Sequence, residues 1–127
     1  MVAEAKSRID NISPAEAQRR VVEEGALIVD IRDVRELQRD GAIPGAMHTP
    51  RGMLEFWVSP DSPYTKEVFG EDREFILCCG GGARSALSAD TLRQMGVPKL
   101  SHIETGFGGW SADGMPVADY ETWKSQG

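Results

Sequence analysis

The chain has few cysteines and histidines and no long hydrophobic run. Its 127 residues contain two cysteines and two histidines. The cysteines, Cys78 and Cys79, are adjacent, so they cannot link distant segments, and this excludes a disulfide-stapled secreted scaffold. A disulfide between neighbouring residues would be strained, and we expect both thiols to be free in a reducing compartment. No stretch approaches the roughly 18 consecutive apolar residues of a membrane-spanning helix, so none is predicted.

Positive charge is also scarce. The 14 basic residues are outnumbered by 20 acidic ones, which gives a net charge of −6. The basic residues form no cluster, so neither nucleic acid nor an anionic membrane is expected as a partner. Salt screens exposed charges over roughly 8 Å, so a locally cationic pocket can still bind a small anion. The N-terminus lacks the apolar segment of a secretory leader, and we expect a cytoplasmic protein.

Cofactor motifs are missing as well. Neither a Gly-x-Gly-x-x-Gly run nor a P-loop occurs, so no organic cofactor is predicted. The two histidines, His48 and His102, are far apart in the sequence, and neither has a third metal-ligand candidate nearby. No metal site is therefore predicted, and both histidines are interpreted as structural.

Apolar runs that alternate with helical patterns predict an α/β fold. Residues 26–31, interrupted only by Asp30, and residues 75–78 form apolar runs, which are typical of parallel strands covered on both faces. Ser13-Pro14-Ala15-Glu16 is a helix-start motif, with Ser13 as the N-cap and Glu16 as its capping-box partner. The predicted fold is a small parallel β-sheet flanked by helices on both faces.

The length of the chain allows one domain of ordinary size. We expect a loosely ordered N-terminus over residues 1–11 and one folded domain over residues 12–118. Residues 119–127 are expected to form a polar tail, with Tyr120 and Trp123 lying on the domain.

The stretch most informative about function joins a strand, a glycine-rich loop and a helix over residues 74–87. Residues 75–78 continue an apolar strand, and Cys79 begins the turn at Gly80. At such a position the free amides of a helix N-terminus and the helix dipole surround the sulfur and favour a thiolate. We therefore predict that Cys79 is the nucleophile and that Cys78 is a small buried hydrophobe.

The alternative nucleophile is Cys78. Counted from Cys79, four residues precede Arg84, and this short loop suits a sulfur atom. Counted from Cys78, five residues intervene, as in the Cys-x5-Arg loop of cysteine phosphatases and arsenate reductases, which wraps three phosphate oxygens. The residue before Cys78 is Leu77 rather than histidine, and no obvious acid loop follows, which disfavours this alternative.

Three groups of motifs resemble the rhodanese family of sulfurtransferases. The run from Cys79 to Ser85, Cys-Gly-Gly-Gly-Ala-Arg-Ser, is similar to the Cys-x-x-Gly-x-Arg-Ser loop of single-domain rhodaneses. Val29-Asp30-Ile31-Arg32 and Gly41-Ala42-Ile43-Pro44-Gly45-Ala46 resemble the family's Asp-x-Arg and Gly-His-Ile-Pro-Gly-Ala segments. Its glycine-tryptophan-proline pattern is matched by Gly106-Phe107-Gly108-Gly109-Trp110 with Gly114-Met115-Pro116-Val117. Together these motifs cover most of residues 12–118, and Ala42 stands where the family usually has histidine.

The resemblance implies a rhodanese-like fold and sulfur transfer through Cys79. In such an enzyme Cys79 attacks the outer sulfur of a small anionic donor such as thiosulfate, holds a persulfide, and passes the sulfur to cyanide or a thiol, protein thiols included. Arg84 would either hold the donor or brace the loop through a carboxylate such as Asp30 or Glu55. The loop residues expected to bind the donor are Gly80, Gly81, Gly82, Ala83, Arg84 and Ser85.

Other residues have supporting roles in this interpretation. Asp30 and Arg32 are predicted to form a structural ion pair. In related sulfurtransferases the segment that contains Arg51, Glu55 and Trp57 borders the active-site mouth, so these three are secondary candidates for substrate entry. A non-enzymatic recognition domain with the same fold is the remaining alternative, and its usual mark is a missing cysteine, which is present here.

Overall fold

The computed structural model describes residues 1–126 and contains a five-stranded sheet in which every strand pair is parallel. The strands are β1 (Asp10–Ile12), β2 (Leu27–Asp30), β3 (Met47–His48), β4 (Phe75–Cys78) and β5 (Leu100–Ile103). Their order, β1-β5-β4-β2-β3, places β4 at the centre. The predicted parallel sheet is confirmed, and the carboxyl ends of all its strands meet at one edge.

Helices cover both faces of this sheet. They are α1 (Val2–Ser7), α2 (Pro14–Glu24), α3 (Val34–Asp40), α4 (Leu54–Val58), α5 (Ala83–Gln94), α6 (Gly106–Ala112) and α7 (Tyr120–Gln126). Two 3-10 turns, Arg51–Met53 and Glu67–Gly70, lie between β3 and β4. Within residues 1–126, each helix is too short or too polar to span a lipid bilayer.

The helix ends follow from local sequence. Ser13 Oγ accepts a hydrogen bond from the Glu16 amide at 3.1 Å, and Gly25 ends α2 with a φ of 72°. Asp33 and Glu36 form a capping box at the start of α3. Each cap satisfies backbone groups that a helix end would otherwise leave unpaired. The caps therefore set where the chain enters β2 and where it turns away from it.

The hydrophobic core lies on both faces of the sheet. The cluster between the sheet, α2 and α6 includes Ile28, Ile76, Cys78, Phe107 and Trp110. The opposite cluster, between the sheet, α4 and α5, includes Val29, Leu54, Leu77, Cys79 and Leu92. Successive side chains of a strand point to opposite faces, so the two neighbouring cysteines lie in different clusters.

The N-terminal residues are ordered, which corrects the expectation for residues 1–11. They contain α1 and most of β1, and β1 pairs with β5 at the edge of the sheet. Ala5 is buried, and Arg8 forms an ion pair with Asp90 of α5 at 3.0 Å. This order comes from docking against the sheet edge and α5, and composition alone does not reveal such tertiary contacts.

The predicted polar tail contains α7. The indole Nε1 of Trp123 donates a hydrogen bond to the Ala46 carbonyl at 3.0 Å, and the rings of Tyr120 and Trp123 have centroids 5.9 Å apart. Trp123 thus lies on the folded domain near β3. Gly127, the last residue of the predicted tail, lies outside the described residues.

A buried ion pair closes the carboxyl end of β2. Asp30 and Arg32 are each 1% exposed, and the guanidinium of Arg32 donates to the carboxylate at 2.7 Å. Arg32 also donates to the Gly41 carbonyl at 2.9 Å, and its guanidinium lies 3.9 Å from the centroid of the Phe107 ring. The pair therefore connects β2, the end of α3 and α6 at the edge where the strands terminate.

Removal of one member of this pair should destabilise the fold strongly. We predict that Asp30→Ala lowers the free energy of unfolding by about 3–5 kcal/mol, because Arg32 is left buried without its counter-ion. The control is Asp40→Ala, which removes an exposed ion pair with Arg39 and should leave the free energy of unfolding nearly unchanged. Urea denaturation measures both variants, and equal losses would contradict a structural role for the buried pair.

Candidate active site

Cys79 lies directly beyond the carboxyl end of the central strand β4. Its side chain is 0% exposed and faces the cluster formed with α4 and α5. Ligands of open parallel sheets bind beyond the carboxyl ends of the strands. The position of Cys79 is therefore the one expected of a functional residue in this architecture.

Cys78 occupies the opposite face and resembles a core residue. It is 0% exposed, and its Sγ lies 3.6 Å from the carbonyl oxygen of Cys79. Burial raises the pKa of the Cys78 thiol well above its ordinary value. Cys78 is therefore held as a neutral thiol inside the hydrophobic cluster on the α2 and α6 side.

Backbone amides at the start of α5 surround the Cys79 sulfur. The amides of Gly82 and Ser85 donate to Sγ at 3.1 and 3.3 Å. Gly82 is the N-cap of α5 with a φ of 99°, a conformation that glycine adopts easily. Free amides and the positive end of the helix dipole both stabilise negative charge on the sulfur. The loop therefore presents hydrogen-bond donors to an anionic sulfur group that forms at this position.

The N-terminus of α6 braces the loop from the other side. The amides of Phe107 and Gly108 donate to the carbonyl oxygens of Cys79 and Gly80 at 2.7 and 3.0 Å. These two carbonyls are therefore turned toward α6 and away from the sulfur. The segment that resembles the glycine-tryptophan-proline pattern is thus in physical contact with the loop that follows Cys79.

The hydroxyl of Ser85 also contacts the sulfur. Ser85 Oγ lies 3.4 Å from Cys79 Sγ and 2.8 Å from Nδ1 of His102 on β5. The other ring nitrogen of His102, Nε2, lies 2.7 Å from Oδ1 of Asn11 on β1. Burial lowers the pKa of His102 to about 4, so its imidazole is neutral near pH 7.

Arg84 braces the loop by an ion pair with Glu36 of α3. Two guanidinium nitrogens donate to the two carboxylate oxygens at 2.8 and 3.0 Å. The hydrogen bonds raise the pKa of Arg84 and lower the pKa of Glu36. A Cβ at Gly80 would lie 3.0 Å from Arg84 Nη2, so the guanidinium passes directly over the loop.

The carboxylate partner of Arg84 differs from the two that the sequence suggested. Asp30 is bonded to Arg32, and Glu55 lies on α4 in an ion pair of its own. The side chain of Arg84 is 45% exposed, so one side of the guanidinium stays accessible to an anionic ligand. Bracing the loop and contacting a donor are therefore compatible roles.

The secondary candidates lie on and beside α4. Arg51 and Glu55 pair with each other at 2.5 Å, and Lys66 lies 4.9 Å from the ring centroid of Trp57. Trp57 packs against the cluster that contains Cys79. No hydrogen bond or ion pair in the described part of the chain joins these side chains to the loop. Their role in substrate entry stays a prediction.

A groove opens beside the loop between α3 and α6. Its volume is about 470 Å³, and its lining includes Arg32, Glu36, Gly80, Phe107 and Gly108. The groove reaches the backbone of Gly80 next to the Arg84–Glu36 ion pair.

Sequence reasoning missed three residues of this site. Glu36 lies on α3, which carries none of the motifs identified in the sequence. His102 was interpreted as structural, and Asn11 fell within a segment expected to be loosely ordered. No local pattern could reveal them, because their contacts come from tertiary structure. Glu36 reaches Arg84 through an ion pair, His102 reaches Ser85 from β5, and Asn11 reaches His102 through the pairing of β1 with β5.

Comparison with known proteins identifies one family. A family model described as rhodanese-like domain matches residues 13–113. A sulfurtransferase from Allochromatium vinosum is 29% identical over 101 residues, which cover 80% of this chain and 86% of that protein. The thiosulfate sulfurtransferase GlpE from Actinobacillus pleuropneumoniae serotype 5b is 27% identical over 106 residues, which cover 84% of this chain and 90% of that protein.

A solved structure supports the same fold. A protein of unknown function from Rhodopseudomonas palustris CGA009, described as a possible tyrosine phosphatase, is 48% identical and superposes with a TM-score of 0.86. The match covers 92% of this chain and 90% of that one. Together with the family model, it confirms the rhodanese-like fold that the motifs indicated.

The conformation of Gly82 provides a test of the loop. We predict that Gly82→Ala lowers the free energy of unfolding by about 1–3 kcal/mol, because alanine resists the positive φ. A Cβ there would also collide with the backbone of Glu104. Gly81→Ala is the matched control, since its Cβ would meet nothing within 4 Å. Urea denaturation of both variants measures the difference, and a similar effect at the two positions would contradict the geometry.

Proposed function

We propose that this chain, which belongs to the rhodanese-like domain family, transfers sulfur from a small anionic donor to a nucleophilic acceptor through a persulfide on Cys79. One observation carries the proposal. Cys79 Sγ accepts hydrogen bonds from the Gly82 and Ser85 amides at the N-terminus of α5. A sulfur atom held this way is stabilised as an anion when it attacks the donor and after it takes up a second sulfur.

The proposed reaction is a double displacement. In the first half, an electron pair of the Cys79 thiolate forms a bond to the outer sulfur of thiosulfate, and the donor's sulfur–sulfur bond breaks, with its pair leaving on sulfite. In the second half, cyanide or a thiolate attacks the outer sulfur, and Cys79 leaves as a thiolate. Neither half needs an organic cofactor or a metal ion.

The relatives support this class of chemistry and suggest the donor. One is named a sulfurtransferase and another a thiosulfate sulfurtransferase. The loop interior consists of glycine and alanine up to Arg84, so it offers few side chains that select one donor over another. We propose thiosulfate or a persulfide as the donor class, and a small or protein-borne thiol, or cyanide, as the acceptor.

Phosphatase activity is a second candidate, because the solved structure described as a possible tyrosine phosphatase is 48% identical to this chain. That reaction would use either cysteine with Arg84. Cys78 is poorly suited, since its Sγ lies in the hydrophobic cluster on the far face and burial raises the pKa of its thiol. From Cys79, only four residues precede Arg84, which leaves a smaller loop than a phosphate group needs.

A persulfide assay tests the proposal. After incubation with thiosulfate, the intact mass of the protein should increase by one sulfur atom, because the thiolate of Cys79 displaces sulfite. Cys79→Ser should abolish this adduct, and Cys78→Ser should retain it.

The remaining outcomes separate the alternatives. An adduct that is lost in Cys78→Ser and kept in Cys79→Ser would assign the chemistry to Cys78 and overturn the proposal. Hydrolysis of an aryl phosphate with no sulfur adduct would favour a phosphatase. Inactivity in both assays would favour a recognition domain.

The ion pair over the loop predicts opposite effects for its two members. Arg84→Gln should raise KM for thiosulfate by about 10- to 100-fold, as expected for the loss of one charged hydrogen bond. Glu36→Gln should lower KM for thiosulfate, because the guanidinium then keeps its charge unneutralised. Steady-state kinetics across a thiosulfate series measures both. A higher KM in Glu36→Gln would show that the ion pair is needed only to shape the loop.

A further inference from the structure

Four side chains form a hydrogen-bonded chain that begins at the Cys79 sulfur, and the first three of them are buried. Cys79 Sγ lies 3.4 Å from Ser85 Oγ, which lies 2.8 Å from His102 Nδ1, and His102 Nε2 lies 2.7 Å from Asn11 Oδ1. The chain runs from the loop through α5 and β5 to β1. His102 is 0% exposed, so solvent does not compete for its ring nitrogens.

Asn11 fixes which nitrogen of His102 carries the proton. The Asn11 amide nitrogen donates to the carbonyls of Lys6 and Ile9 at 2.9 and 3.2 Å, so its Oδ1 faces His102. An oxygen at this position requires a proton on Nε2. In the neutral imidazole Nδ1 is then an acceptor, and the Ser85 hydroxyl donates to it.

This orientation leaves the Ser85 oxygen as an acceptor toward the sulfur. The other described hydrogen bonds to Cys79 Sγ come from the amides of Gly82 and Ser85, which only donate. Among these contacts, a proton on Sγ can therefore leave only through Ser85 Oγ. We propose that Ser85 and His102 form a proton relay that takes the thiol proton of Cys79 when its sulfur attacks. The inference deepens the proposed function, on which its role in sulfur transfer rests.

The proton transfer from Cys79 to His102 conserves protons and electron pairs at each group. The Sγ–H bond breaks, its proton bonds to Ser85 Oγ, the former hydroxyl proton bonds to His102 Nδ1, and the electron pair stays on Sγ. Each hydrogen bond then reverses direction, so the imidazolium donates to Ser85, and Ser85 donates to the sulfur anion. His102 keeps the proton while the persulfide exists and returns it when the acceptor releases the Cys79 thiolate.

The surroundings of His102 keep its ring in the neutral form, which can accept a proton on Nδ1. Burial and the charge of Lys6 lower its pKa, while Glu104 and Asp10 act in the opposite direction. The resting ring is therefore neutral, which is the form with a free Nδ1. The imidazolium forms together with the sulfur anion, so the buried site gains no net charge and the two charges stabilise each other.

The pH dependence of Cys79 alkylation tests the relay. The relay moves a proton within the protein, so alkylation by iodoacetamide, a neutral reagent, should depend little on pH between about pH 5 and 7. In His102→Asn, the side-chain oxygen can take the place of Nδ1 and still accept from Ser85, but it is not a base. Its alkylation rate should rise about tenfold per pH unit, as for a thiol that ionises to solvent. All variants carry Cys78→Ser, so that the assay measures the alkylation of Cys79 alone.

A second variant and a control keep the test independent of folding. Ser85→Ala breaks the relay at its middle and should show the same steep profile as His102→Asn. Ser101→Ala, one residue from His102 on β5, removes a buried hydroxyl that bonds to Glu74 on the other face and should keep the shallow profile. If His102 is only structural, the alkylation rate of Cys79 should rise with pH equally steeply in all of these proteins.

The outcomes for the relay and for sulfur transfer are separable. A steep dependence of the alkylation rate on pH in the protein that carries only Cys78→Ser would overturn the relay, even if thiosulfate adds a sulfur to Cys79. A shallow dependence in His102→Asn would overturn it as well. The predicted pair of profiles without any sulfur adduct would support the relay and refute the proposed function.

Discussion

A sulfur atom removed from water must find its stabilisation in the protein, and the rest of this structure depends on how that is achieved. Cys79 is fully buried, and its sulfur accepts from the amides of Gly82 and Ser85. These amides are free because they lie at a helix N-terminus, where intrahelical acceptors are absent. The fold therefore supplies the site by ending β4 and starting α5 within five residues.

The geometry of the loop is maintained from three directions. Its carbonyls are bonded to the start of α6, its arginine to Glu36 of α3, and its serine to His102 of β5. The buried Asp30–Arg32 pair holds the ends of β2 and α3 beside α6 through Gly41 and the Phe107 ring. Each contact joins elements distant in sequence, so the site forms only when these elements are assembled.

The parts of the site that depend on local chemistry could be predicted from the sequence. The strand, the glycine turn and the helix start identify the loop, and alternation along β4 separates Cys78 from Cys79. The partner of Arg84 could not be predicted, because Glu36 of α3 reaches it by an ion pair between residues that are 48 positions apart in the sequence. The order of residues 1–11 and the contact of Asn11 with His102 likewise depend on strand pairing, which local pattern does not determine.

We infer that the amides at the start of α5 hold a sulfur anion on Cys79 during the reaction. A crystal structure of the protein after thiosulfate treatment tests it most directly. We expect electron density for one additional sulfur bonded to Cys79 Sγ and lying within hydrogen-bond distance of the loop amides. Density for the sulfur on Cys78, or an unmodified Cys79 in a protein that has consumed thiosulfate, would contradict it.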